Sequence, residues 1–172
     1  MMLGPRVVII GNSGSGKTTL AREIAQHLEV RVTDLDRVHW QGELWVQRDP
    51  QAAIAMVTDL AAGPRWIIEG VYGWLAAVAL PFATGLVWLD MPWTVCSDGL
   101  VSRGPSPGAT DEQHAALVEW AGAYWQRSTP TSFAGHLALF EAFAGEKCRL
   151  IARSDVTTLL SEEYRSSGAL PD

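Results

Sequence analysis

The sequence predicts an α/β fold, a parallel sheet with helices on both faces, in one domain. Three observations carry this. Short β-branched apolar runs alternate with segments of helical spacing. Breaks rich in Gly, Pro and Asp separate them. No internal repeat is present, and 172 residues suit one domain with a sizeable core.

The elements follow in order. "RVVIIG" (Arg6–Gly11) is a buried strand by its β-branched run and its Gly stop. Thr18 to Leu28 carries Leu20, Ile24 and Leu28 at helical spacing. "VRVTDLD" (Val30–Asp36) is a second strand or extended edge. Asp49-Pro50 starts a helix, with Asp as N-cap and Pro in the first turn. That helix runs to about Ala62 and stops at Gly63-Pro64. "RWIIEG" (Arg65–Gly70), "GLVWLDMP" (Gly85–Pro92) and "KCRLIAR" (Lys147–Arg153) are the third, fourth and fifth strands. A helix occupies Trp93–Arg103. Thr110 and Gln113 form a capping box for the next, which reaches about Arg127. Leu117, Trp120, Ala121 and Tyr124 share one face of it. A further helix spans Ser132–Ala144 with Gly145 as its stop, and Ser154 caps the last.

Composition removes several function classes. The net charge is −6, and Lys17 and Lys147 are the only lysines. Without a basic stripe, a nucleic-acid partner is not expected. Cys96 and Cys148 lie far apart, so no disulfide framework is indicated. His27, His39, His114 and His136 are scattered, which argues against a metal cage of His and Cys. The N-terminal apolar run is too short for a signal peptide, and no stretch approaches the roughly 20 apolar residues of a membrane span. A cytoplasmic protein with no membrane partner is the expectation. The sequence carries no signal for oligomeric state.

"GNSGSGKTT" follows the first strand and opens the first helix. Gly11, Gly16, Lys17 and Thr18 complete the pattern GxxxxGK[ST]. Glycines let backbone N–H groups converge on phosphate oxygens, and the helix offers its positive end. Lys17 reaches the outer phosphates, and Thr18 ligates Mg²⁺ through its hydroxyl. The nucleotide-binding set is therefore Gly11, Asn12, Ser13, Gly14, Ser15, Gly16, Lys17, Thr18 and Thr19. The guanine-reading NKxD pattern is absent, and a motor or transport ATPase usually needs a larger core. Small kinases remain.

The chain resembles the adenylate-kinase-like P-loop kinases. Within them it is similar to the small bacterial kinases labelled topology-modulation proteins. The likeness rests on the phosphate loop, "LDRVHW" (Leu35–Trp40), Trp45, "WIIEGVY" (Trp66–Tyr72), "LVWLDMP" (Leu86–Pro92) and Arg103, and fades after that. It implies the three-layer P-loop kinase fold, with a five-stranded parallel sheet in the order 2-3-1-4-5. It also implies an acceptor-binding arm at about 34–64 and a short lid at about 103–128. The donor implied is ATP with Mg²⁺. GTP stays open, because adenine is read by backbone contacts in this fold.

Asp34 and Asp36 follow the second strand, at the edge where open α/β sheets place ligands. If the chain is extended, D-L-D spacing puts both carboxylates on one side. By the resemblance, Asp36 orients or deprotonates an acceptor hydroxyl. Asp34 is a candidate for the Mg²⁺ shell. Solvated turn carboxylates are the competing interpretation of both. Glu69, before Gly70, resembles the acidic residue placed near Mg²⁺. Asp90 either supports the phosphate site or caps the next helix. Arg103 and Arg127 are candidates for transition-state charge, and each is also open to a surface ion pair. Arg153 resembles the loop that lines the adenine.

Arginines that would grip a phosphorylated acceptor are scarce. "GVYGW" has none, and the lid segment holds only Arg127, with Arg103 just before it. Arg37 and Arg48 remain in the arm. Aromatic side chains stand in the acceptor segments instead: His39, Trp40, Trp45, Tyr72 and Trp74. They suit a neutral ring, or else pack the arm's own small core. Trp66 and Trp88 are expected in the main core. The leading expectation is a kinase acting on a small-molecule hydroxyl, nucleoside- or sugar-like, with antibiotic or specialised metabolism as one setting. A nucleoside monophosphate kinase and a nucleotide-binding regulator with little turnover are the alternatives.

Overall fold

The computed structural model describes residues 3–41 and 46–166. β1 (Arg6–Gly11) leads through the glycine loop into α1 (Lys17–Leu28). β2 (Val32–Asp34) and the short α2 (Leu35–His39) follow. A small antiparallel pair, β3 (Trp40–Gln41) and β4 (Val46–Gln47), precedes α3 (Pro50–Ala61). Next come β5 (Trp66–Gly70), α4 (Gly73–Ala79), β6 (Gly85–Leu89) and α5 (Trp93–Arg103). α6 (Asp111–Gly122), α7 (Phe133–Ala142), β7 (Glu146–Leu150) and α8 (Arg153–Ser166) complete the chain.

The main sheet runs β2-β5-β1-β6-β7 with every pair parallel. Counting only its five strands, this is the order 2-3-1-4-5. β1 is central, and Val7 to Ile10 are wholly buried. Alternate residues face opposite layers. Val8 and Ile10 pack with Val57, Leu75 and Trp88 under α3, α4 and α7. Val7 and Ile9 pack with Leu20, Ile24, Cys96 and Leu159 under α1, α5 and α8. Each such side chain contributes about 1.5–3 kcal/mol by leaving water. Trp66 and Trp88 are both core residues, as expected.

Two helix starts match their sequence signals. Asp49 accepts from the Ala52 amide ahead of Pro50. Thr110 and Gln113 form both bonds of the capping box.

Several boundaries differ. The second strand ends at Asp34, because the Asp34 carboxylate caps α2 by accepting from the Asp36 amide at 2.8 Å. Asp36 is therefore helical, and the extended D-L-D geometry does not occur. α6 stops at Gly122 and passes into a 3₁₀ turn over Ala123–Trp125. α7 ends at Ala142, before Gly145, with Phe143 already extended. The fifth strand ends at Leu150. Ser154 lies inside α8, and Asp155 braces its start by accepting from the Ile151 and Ala152 amides. α4 had no distinguishing signal, since "GWLAAVALP" is apolar throughout and carries no polar cap.

Candidate active site

The glycine loop sits at the C-terminal edge of the sheet, above β1. α1 begins at Gly16, whose φ is +97°, with no side chain capping it. Its first amides are thus free of any side-chain acceptor and point where an anion would sit. Gly14 has φ +77°, and a Cβ there would stand 2.1 Å from the Cys96 carbonyl oxygen. Only glycine allows α5 to close on the loop at that point. The Ser15 hydroxyl is buried without a protein partner among the described residues. An uncapped helix start, a glycine cradle and an orphaned hydroxyl together fit a polyphosphate.

Side chains around the loop are tied to it. Lys17 is buried and donates its Nζ to the Asn12 carbonyl at 2.9 Å. Arg153 Nη1 donates to the Ser15 carbonyl at 2.8 Å and lies over Gly16. The Asn12 carboxamide donates to the Ala121 carbonyl at 2.9 Å and accepts from the Ser13 amide. That bond joins the loop to the end of α6, a link with no sequence signal. Thr19 is exposed in the first turn of α1.

Thr18 donates its hydroxyl to Glu69 Oε1 at 2.7 Å. Glu69 is buried and ends β5 with Gly70; parallel pairing sets Asp34 of β2 in register with it. Burial holds the Glu69 carboxyl above the usual carboxylate range. Lys17 and the Thr18 bond oppose that shift, while Asp34 and Asp36 add to it. An oxygen set of Thr18, Glu69 and Asp34 suits a hard divalent cation such as Mg²⁺.

Asp36 is exposed as a residue, yet its carboxylate is partly shut off from water. That loss of water raises its pKa, and Asp34 raises it further. Lys17, Arg103 and a hydrogen bond from Tyr72 pull it down. The Tyr72 hydroxyl also accepts from the Trp40 side chain. His39 stacks on Tyr72 with centroids 4.0 Å apart, and Trp40 and Trp74 meet it edge-on at 4.5 and 6.0 Å. Burial lowers the basicity of His39. Trp45 lies outside the described residues.

The remaining candidates have other partners. Arg127 donates to the Trp120 and Thr131 carbonyls at 2.8 and 3.1 Å and covers the Trp120 ring at 4.0 Å. These partners belong to α6 and the segment after it, and none to the phosphate loop. Asp90 does not cap α5; Arg149 Nε donates to it at 3.0 Å. A buried relay escaped sequence analysis. Trp88 Nε1 donates to the Tyr124 hydroxyl, which donates to His136 Nδ1 at 2.7 Å. His136 Nε2 then donates to the Val71 carbonyl at 3.0 Å, one residue before Tyr72. Nothing in the spacing of His136 set it apart from the other histidines.

Comparison with known proteins adds the following. A family model described as ATPase family associated with various cellular activities (AAA) matches residues 7–68, less than half of the chain. No curated protein matches. Among solved structures, a sugar kinase from Janibacter sp. HTCC2649 is 16% identical with TM-score 0.54, over 96% of this chain and 95% of its own. Shikimate kinase from Bacteroides thetaiotaomicron is 20% identical with TM-score 0.55, over 96% and 99%. A gluconokinase from Sinorhizobium meliloti 1021 is 13% identical with TM-score 0.53, over 97% and 99%. At these identities the likeness is one of fold. Over the described residues the chain shares the α/β architecture of these structures, a five-stranded parallel sheet flanked by helices.

Proposed function

We propose that this chain is an ATP- and Mg²⁺-dependent kinase that transfers the γ-phosphoryl group to a hydroxyl of a small molecule, nucleoside- or sugar-like. One observation carries the proposal. The Thr18–Glu69 bond, Lys17 and Asp36 converge on one sheet edge, so a phosphate cradle and the Asp36 carboxylate, held by Tyr72, face the same cleft. The names of the fold neighbours, a sugar kinase, a shikimate kinase and a gluconokinase, support the same chemistry.

The roles follow from position. The loop from Gly11 to Thr19 holds the triphosphate, and Lys17 exchanges its bond to Asn12 for a phosphate oxygen. Thr18, Glu69 and Asp34 hold the metal. Bound Mg²⁺ would neutralise charge on the transferring group. Asp36 accepts the acceptor's hydroxyl proton or orients that hydroxyl in line, with Tyr72 fixing the carboxylate. Arg103 acts on Asp36, which supports giving it, of the two arginines, the role of meeting developing charge. Arg127 serves as a brace at the exit of the lid, and Arg153 as a wall of the donor site. The chain is one domain, with residues 34–64 as acceptor arm and 103–128 as lid.

An ADP-release screen with MgATP over sugars, nucleosides, amino alcohols and monophosphates tests this. Release with a hydroxyl compound that Lys17→Ala abolishes is the expected result. Release with monophosphates alone would overturn the assignment.

A further inference from the structure

The acceptor side of the cleft has a one-sided charge balance. Asp34 and Glu69 stand in register on β2 and β5, and Asp36 follows immediately in α2. The cations acting most strongly on Asp36 are Lys17 and Arg103. Lys17 belongs to the phosphate loop, and Arg103 ends α5, which packs on that loop. Both therefore face the donor's own negative charge, as would the Mg²⁺ held by Asp34 and Glu69, so that with MgATP bound the three carboxylates keep the site negative. On the acceptor side, Arg48 is tied by its Nε to the Val38 carbonyl at 2.8 Å and is not among the cations acting on Asp36. Arg37 is exposed on α2. His39 is buried in an apolar cage and adds no charge at neutral pH.

Tyr72, which donates to Asp36, belongs to a group of aromatic rings. Trp40, Tyr72 and Trp74 group about His39, and each keeps part of its surface open. Ring faces beside carboxylates favour an ammonium group twice over, through the ring quadrupole and through direct charge. The same carboxylates repel an anionic acceptor. Aromatic surface alone would accept any ring; the carboxylates make the choice.

We infer that the acceptor carries a protonated amine on its hydroxyl-bearing scaffold, as an amino sugar or amino alcohol does. This inference rests on the kinase assignment and adds the charge of its acceptor.

The test is ADP release over matched sets that share a skeleton and differ in charge. Two such sets are glucosamine, glucose and glucuronate, and serinol, glycerol and glycerate. The amine member should lead in kcat/KM by tenfold or more in any set that turns over. Asp34→Asn keeps the α2 cap, because Asn caps as well as Asp, and removes one charge. It should cut the amine's lead over the neutral member several-fold, beyond the loss that both members share through the metal. Raised salt should do the same. A neutral or acidic member leading in every active set overturns the inference and leaves the kinase assignment standing. So does a preference that Asp34→Asn leaves intact. No release from any hydroxyl compound, by protein that binds MgATP, overturns the kinase assignment and this inference with it.

Discussion

The Thr18 hydroxyl donates to the Glu69 carboxylate over 2.7 Å and so joins the first turn of α1 to the end of β5. Sequence places the two residues 51 positions apart, and the sheet brings them together because β5 pairs directly with β1. The bond presents two oxygens to one point beside Lys17. Glu69→Gln keeps an acceptor for Thr18 but withdraws the charge a divalent cation needs. Acceptor-dependent turnover should fall ~10²-fold or more, in the range seen when one charge-stabilising group is lost. Nucleotide affinity measured in EDTA should hold within a few-fold. Equal losses with and without metal would place Glu69 in the fold instead.

Acid stability should expose the cost of these carboxylates. Glu69 and Asp36 both have folded pKa values raised, first by burial. A raised carboxyl pKa gives stability that is present below the unfolded value of about 4 and lost as pH rises through the folded value. Above those folded values both groups are ionised at a cost. Glu69→Gln should therefore melt higher than the parent at pH 7, by about 2–5 °C, and Asp36→Asn by less, because solvent screens the more exposed Asp36. The gain should vanish near pH 4, where the parent's carboxyls are already neutral. Thermal melts at the two pH values decide it; a gain that persists at pH 4 would contradict the electrostatic cause.

Much of this site was legible in the sequence because its chemistry is local. A glycine loop between a strand and a helix turns its amides toward an anion, and Asp34 and Glu69 stand at strand ends, with Asp36 two residues beyond Asp34. What escaped depended on packing across distance. Asn12 meets Ala121, and Val71 meets His136, only once helices settle on the sheet. The D-L-D geometry failed for a local reason: Asp34 found a better use for its carboxylate as a helix cap. α4 stayed hidden because a helix buried on most sides loses its amphipathic stripe.

His136 should dominate stability on the mildly acid side. It is wholly buried between Tyr124 and Val71, and burial pushes its pKa down to about 4. A lowered histidine pKa gives stability that is present above the unfolded value of about 6.5 and lost as pH falls towards the folded one. Across that window the parent should lose on the order of 3 kcal/mol, since each pKa unit is 1.36 kcal/mol. His136→Gln can keep both hydrogen bonds without titrating, so its stability should stay flatter from pH 7 to 4.5. His136→Leu should cost about 2–4 kcal/mol at pH 7, because the Val71 carbonyl and Tyr124 hydroxyl lose a buried partner. Denaturant melts across pH give both slopes, and parallel slopes for parent and His136→Gln would refute this role.

Tyr72 offers the sharpest separation of orientation from binding. Its hydroxyl accepts from Trp40 and donates to Asp36, while its ring stacks on His39. Phenylalanine keeps the ring and removes only the hydroxyl. Tyr72→Phe should leave the melting temperature and nucleotide affinity close to those of the parent. Turnover should fall about tenfold, the equivalent of ~1.4 kcal/mol. The pH profile adds a second readout. A donor to the ionised carboxylate lowers its pKa, so losing that donor raises the pKa of Asp36. The acid limb of kcat/KM should shift to higher pH in Tyr72→Phe, because more base is needed to ionise Asp36. If turnover falls while the acid limb stays in place, Tyr72 meets the acceptor directly and does not act through Asp36.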